Sequence, residues 1–200
     1  MYPENMYRIT ALILLLTALS ISITYRRKAA KSGEAIKSDA EGRVILTLRN
    51  IFGLLGWLSA FLYLINPGWM AWAQLPLPSW FRWTGAAIMA MCIPFVYWVF
   101  SSLGMNVTPT VVTRQAHTLV MHGPYHWVRH PLYTVGFLAF TGYSILAANW
   151  FIFIMLTLAT IILVMRTSIE EQYLIDRFGD DYRQYMSQTG RYLPRIRSAG

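Results

Sequence analysis

What most constrains this chain is the grouping of its apolar residues into sparsely charged runs as long as a bilayer is thick. A helix needs about 20 consecutive, mostly apolar residues to cross the hydrocarbon core. Residues 7–25, built around ITALILLLTALSISITY, form one such run, 44–65 a second and 81–100 a third. Apolar sequence resumes over 132–165 and is interrupted by AANW at 147–150, which fits two short or tilted spans joined by a tight turn. The expected class is an all-α integral membrane protein with about five transmembrane helices. Composition agrees, since 56% of the 200 residues are hydrophobic and 13% charged, roughly half the charge density of a soluble domain.

The first run is read as a retained helix. Only Arg8 precedes it, a basic cluster follows it, and no small-residue cleavage site ends it. The segment NPGWMAWAQLPLPSW (66–80) holds three prolines, three tryptophans and no charge, the composition of an interfacial loop. Pro94 is expected to kink the third span. With the amino terminus outside, fourteen of the 17 Lys and Arg residues fall on the cytoplasmic side, against Arg8 and Arg82 outside, and Arg49 can snorkel to the inner interface. The positive-inside rule then puts segments 101–130 and 166–200, and the carboxy terminus, in the cytoplasm together. The net charge of +8 therefore reads as a membrane-surface feature and not as a nucleic-acid footprint. Cys92, the single cysteine, excludes an internal disulfide and a cysteine-based metal site.

The reactive residue types crowd into one stretch, HTLVMHGPYHWVRHPLY (117–133), which contains all four histidines. His122, His126 and His130 sit four apart, the spacing that lines one helical face. However, Gly123-Pro124 and Pro131 punctuate the stretch, and proline disfavours helix at the residue before it. No cysteine is near, and no acidic residue lies between Glu41 and Glu170. No metal is expected here. Further along, RTSIEEQYLIDRF reads as a helix closed by Gly179, with Asp180 or Asp181 capping a shorter helix, DDYRQYMSQ.

The two segments together carry a resemblance. HTLVMHGPYHWVRHPLY, followed about forty residues later by EEQYLIDRFGDDYRQYMSQTGRYLP, resembles the isoprenylcysteine carboxyl methyltransferase family, whose superfamily includes phospholipid N-methyltransferases. The likeness covers residues 117–195 and keeps order and spacing. Residues 1–100, read from hydropathy and charge as three spanning helices with a basic cytoplasmic loop (26–43), match the family only in being a run of spanning helices. The likeness implies a methyltransferase region in 101–200, made of a cytoplasmic cofactor loop, a helical hairpin (132–165) and carboxy-terminal cytoplasmic helices.

The resemblance implies S-adenosyl-L-methionine as cofactor. It carries cofactor contacts onto His117, Thr118, Leu119 and Val120, then Gly123 and Tyr125, then His130, Pro131, Leu132 and Tyr133, and finally Glu170. Residue chemistry is compatible: Leu119, Val120, Tyr125 and Tyr133 could wall an adenine slot, and Glu170 could face the methionine ammonium. Arg166 lies four residues before Glu170 on the same helical face. In the family an arginine here meets the substrate, and guanidinium suits a carboxylate. On position alone Arg166 reads equally as a snorkelling arginine. Arg166 and Glu170 are the expected catalytic pair. Arg129 braces the loop on headgroups or on the carboxy-terminal segment, and Arg191 and Pro194 close the structure.

The implied activity is methyl transfer to a lipid-like or prenylated acceptor at the cytoplasmic face, in the inner membrane of a prokaryote, foremost carboxyl O-methylation of a prenylcysteine-like substrate. A carboxylate is ionised at neutral pH, its free pKa being about 4, so no general base is needed. Phospholipid or amine N-methylation is the alternative, and there a neutral histidine such as His126 could take the proton. An NADPH-dependent reductase of the sterol-reductase type and a non-catalytic membrane protein are the rivals from other classes.

Overall fold

A computed structural model describes residues 3–30, 43–106 and 118–195. His117 and residues 31–42 of the basic loop lie outside the described residues. Among the described residues six α-helices carry the fold: α1 (Pro3–Ala30), α2 (Arg43–Ile65), α3 (Ser79–Leu103), α4 (Pro131–Ala147), α5 (Trp150–Phe178) and α6 (Asp180–Gln188). Among the described residues there is no β-strand, only two isolated bridges.

Helices α1, α2, α3 and α5 are 28, 23, 25 and 29 residues long and apolar enough to cross a membrane. The fourth helix is shorter than a full span. Its 17 residues rise about 25 Å, because Pro131 opens it and Ala148, in the left-handed region with φ 50°, closes it. The length missing from α4 reappears in α5, which runs on without a break through Arg166 and Glu170 to Phe178. Helix α3 likewise continues through Pro94.

The bundle is inside out relative to a soluble one. On α2 the buried positions are Gly56, Ser59, Ala60 and Tyr63, while Leu54, Leu58, Phe61 and Ile65 are exposed. Lipid offers large side chains as good a solvent as the core does, so small residues that permit close backbone approach mark the inner face. The closest approach is between α3 and α4. A Cβ on Gly85 would collide with the Gly142 carbonyl and lie 2.6 Å from the Leu146 amide, and a Cβ on Gly142 would lie 2.8 Å from the Gly85 carbonyl. Gly56 instead faces a side chain, that of Leu156 on α5, whose Cδ2 would lie 2.7 Å from an added Cβ.

One end of the bundle is closed by polar groups. Arg82 grips both carboxylate oxygens of Glu4, at 2.7 and 2.9 Å, and donates through Nε to the Leu146 carbonyl at 2.9 Å. Tyr63 donates to Glu4 at 2.9 Å, and the guanidinium lies 3.8 Å over the Tyr7 ring. Arg8 donates to the Leu64 and Ile65 carbonyls at the end of α2. The two basic residues of this end are therefore spent inside the protein. Here the 66–80 segment forms a 3-10 turn, Pro67–Ala73, and pairs with the α4–α5 turn: Leu75 donates to Ala148, and Asn149 both caps α5 and donates to Met70.

Candidate active site

At the opposite end the helices diverge around a cavity of about 560 Å³. Its wall draws on α1 to α5, on residues 118–120 and on α6, so both halves of the chain build it. On α5 the lining residues are Leu156, Thr160, Leu163, Arg166, Glu170 and Leu174, a stripe about 27 Å long. On the Leu156 side of Arg166 the lining is mostly apolar and includes Met89, Cys92 and Ala60.

Short-range chemistry delivers the loop residues to this wall. Asn106 accepts from the Thr118 amide at 3.2 Å and donates to its hydroxyl at 3.1 Å, which sets Thr118, Leu119 and Val120 beside the end of α3. Gly123 has φ 62°, and a Cβ there would collide with Ser102 and lie 3.2 Å from Trp98 Nε1. Only glycine allows the loop to turn this close to α3. The following 3-10 turn, Gly123–His126, buries Tyr125, whose carbonyl accepts from the Tyr185 hydroxyl at 2.6 Å. Burial pushes both phenols above the usual tyrosine range, Tyr125 with help from the nearby Glu170 charge, so Tyr185 stays a protonated donor.

The histidines separate. His122 precedes the 3-10 turn, His126 ends it and His130 precedes α4, so no helical face carries all three. His122 and His126 are exposed, whereas His130 is buried. His130 stacks on Tyr133 with ring centroids 5.5 Å apart and planes 10° apart. Tyr133 in turn donates to Glu170 Oε2 at 3.0 Å.

Behind this pair lies Glu171, 4% exposed. Its Oε1 accepts from Arg129 Nε at 2.8 Å and faces His130 Nε2 at 3.2 Å, while Oε2 accepts from Arg191 at 2.5 Å. Arg129 also donates to the Met186 and Thr189 carbonyls. Backbone pairing runs alongside: Arg129 and His130 donate to the Gly190 and Arg191 carbonyls, and Gly190 donates to Trp127. Arg129 thus braces the carboxy-terminal segment, the second of its two expected roles. Helix α6 departs from expectation in its cap. Gly179, φ 58°, ends α5 and directly precedes Asp180, so neither aspartate stands before the helix to cap it, and both lie in its first turn.

Of the residues expected at a cofactor site, Thr118, Leu119, Val120, Tyr125, His130, Leu132, Tyr133 and Glu170 line the cavity together with Arg166. Gly123 and Pro131 shape the loop and open α4 without lining it. The carboxylate that sequence reasoning passed over is Glu171. One residue beyond Glu170 on a helix is about 100° around its axis, so Glu171 faces the carboxy-terminal segment and not the cavity. Asn106, Tyr182, Tyr185 and Arg26 also line the cavity, as does Arg49, expected only to snorkel to the interface.

Known proteins resemble this chain in sequence and in fold. The sequence profile of the phospholipid methyltransferase family matches residues 80–181. Methanethiol S-methyltransferase 1 of Bradyrhizobium diazoefficiens is 31% identical over 142 residues, 64% of this chain and 49% of that protein. Protein-S-isoprenylcysteine O-methyltransferase of Tribolium castaneum is 38% identical over 81 residues, 40% of this chain and 29% of that one. The chain spans half or less of the length of these relatives. The fold matches a solved structure of the eukaryotic intramembrane Ras methyltransferase ICMT with a TM-score of 0.56 at 23% identity, covering 92% of this chain and 63% of that one. A helical bundle with membrane-length spans and these relatives defines a class: integral membrane proteins related to methyltransferases. Within that class, the chain belongs to the phospholipid methyltransferase family.

Proposed function

We propose that the protein transfers the methyl group of S-adenosylmethionine to a lipophilic acceptor at the basic face of the membrane, and that the acceptor is carboxyl O-methylated, as a prenylcysteine would be. The observation that carries this reading is one cavity joining an apolar arm to a polar head. From Leu156 to Arg166 the arm is about 15 Å deep, and the head holds the Glu170–Tyr133 pair and Arg166.

The donor set fits the cofactor. Tyr133 orients Glu170 toward an ammonium, and Leu119, Val120 and the buried Tyr125 offer an adenine a dry, partly aromatic wall. When bound, S-adenosylmethionine supplies an electrophilic methyl group on a sulfonium. The chain's own work is positioning: Arg166 aligns the acceptor's carboxylate, His130 is held against Tyr133 by Glu171, and the apolar arm excludes water. A carboxylate nucleophile needs no base. The basic end of the bundle, with Arg26, Arg27, Lys28 and Arg43, faces the cytoplasm in this reading, where the soluble cofactor resides.

One observation favours a second acceptor class, a thiol, because a relative 31% identical is a methanethiol S-methyltransferase. A small neutral thiol leaves the apolar arm unused, which makes it the weaker fit. The deciding experiment follows labelled methyl transfer to prenylcysteine, phospholipid, amine and thiol acceptors by the purified protein. Labelling of N-acetyl-S-farnesylcysteine above the others is expected. Transfer to methanethiol alone would overturn the acceptor, and failure to bind S-adenosylhomocysteine would overturn the cofactor.

A further inference from the structure

Helix α4 carries a glycine that packing does not account for. Gly85, Gly142 and Gly56 each face atoms that a Cβ would crowd, whereas a Cβ on Gly136 would meet nothing within 4 Å among the described residues. Inside a helix glycine is less favourable than alanine, because its backbone surrenders more freedom on folding. Gly136 lines the cavity, and so do Leu132, Tyr133, Ala139 and Phe140, its neighbours three and four residues away on the same helical face. The open space over Gly136 is therefore cavity space.

Tyr133 meets Glu170 at one end of α4 and the turn at 148–149 closes the other, so α4 and α5 are antiparallel neighbours. From the Tyr133–Glu170 pair, Gly136 lies about 4.5 Å along α4 and Arg166 about 6 Å along α5. Gly136 thus stands at the throat, where the polar head gives way to the apolar arm. The missing side chain leaves a gap that the helices cannot close. Helix α4 is held backbone to backbone on α3 at Gly85 and Gly142. One turn beyond Gly136, the Phe140 ring meets Trp57 of α2 edge-on, with centroids 6.0 Å apart.

We infer that Gly136 is a specificity-determining position, whose missing side chain widens the throat for an acceptor with a methyl-branched chain, such as a prenyl group, beginning next to its polar head. This deepens the acceptor reading above and rests on it. An unbranched chain would leave the throat partly empty, and an unfilled apolar gap forfeits contacts along its lining. A small thiol, held in the head, is indifferent to residue 136.

The test is calorimetric binding to the purified full chain, so it does not depend on turnover. The probes are N-acetyl-S-farnesylcysteine, the unbranched N-acetyl-S-dodecylcysteine of equal main-chain length, and S-adenosylhomocysteine. Wild type should bind the farnesyl probe more tightly than the dodecyl probe. Gly136→Ala should weaken farnesyl binding several-fold and Gly136→Leu by about tenfold or more, with the dodecyl probe losing less, so that the preference shrinks or inverts. S-adenosylhomocysteine should bind Gly136→Ala as it binds wild type, and Gly136→Ala should melt no lower, since alanine favours the helix. A farnesyl preference unchanged in both variants, or an equal loss of both lipid probes, overturns the throat. So does a parallel loss of S-adenosylhomocysteine, or a lower melting temperature for Gly136→Ala. The two readings fail separately. The expected loss of preference, with labelled methyl passing only to methanethiol, defeats only the acceptor reading. Methyl transfer to the farnesyl probe, with its preference untouched by either substitution, defeats only the throat. A wild type that binds neither lipid probe overturns both.

Discussion

Replacing Glu171 with alanine should dismantle the cavity wall without touching anything inside the cavity. In the native protein both carboxylate oxygens are used, by Arg129 and His130 on one side and Arg191 on the other. The Arg129 side chain is 10% exposed and that of Arg191 35%. Removing one partner from a buried ion pair costs about 3–5 kcal/mol. The solvated side of Arg191 recovers part of it, so about 3 kcal/mol is the working figure for undocking 128–130 from 189–191. If S-adenosylhomocysteine binds only the docked form, an undocking bias of that size weakens its apparent affinity by up to about 100-fold. The assay pairs calorimetric binding with tryptic cleavage after Arg191 and Arg195. Glu171→Ala should lose affinity and gain cleavage together. Glu170→Gln, altering a group on the cavity wall, should lose affinity with cleavage unchanged. Weakened binding by Glu171→Ala with the segment still protected would refute the argument and make Glu171 a direct contact.

Three further outcomes are expected. Tyr133→Phe should weaken S-adenosylhomocysteine binding about tenfold, from one lost charge-assisted hydrogen bond, and in a double-mutant cycle with Glu170→Gln the two losses should be clearly less than additive. Gly85→Leu should lower the melting temperature sharply in detergent, since overpacking costs 1–3 kcal/mol even where side chains can shift and here the obstacle is the α4 backbone; Gly53→Leu, with open space around it, should leave melting unchanged. Arg82→Gln should destabilise by several kcal/mol through the half-buried Glu4 left without its guanidinium, measured by thermal denaturation, whereas Arg183→Gln, on an exposed pair with Asp180, should be neutral.

The spanning helices were readable in advance because each is a long apolar run, and the 148–149 turn because AANW interrupts one. Pro131 and Gly123 announced the loop geometry that separates the histidines. Three things were not readable, each for a physical reason. The inner face of α2 is defined by small residues among large ones, a pattern that hydropathy does not report. The clamp between Glu4 and Arg82 joins residues 78 positions apart, so no local spacing hints at it. Glu170 and Glu171 are neighbours with opposite duties, and only the phase of α5 against the carboxy-terminal segment tells them apart.

The pairing of Val128 with Gly190 also has a meaning in time. Gly190 and Arg191 are synthesised after α1 to α5, yet they hold the strip of backbone that positions His130. A nascent chain can therefore have α1 to α5 in place while His130 still lacks its clamp. The strip at 128–130 is therefore completed only after α5 and α6 have been made, and a copy truncated before Gly190 keeps its helices without it.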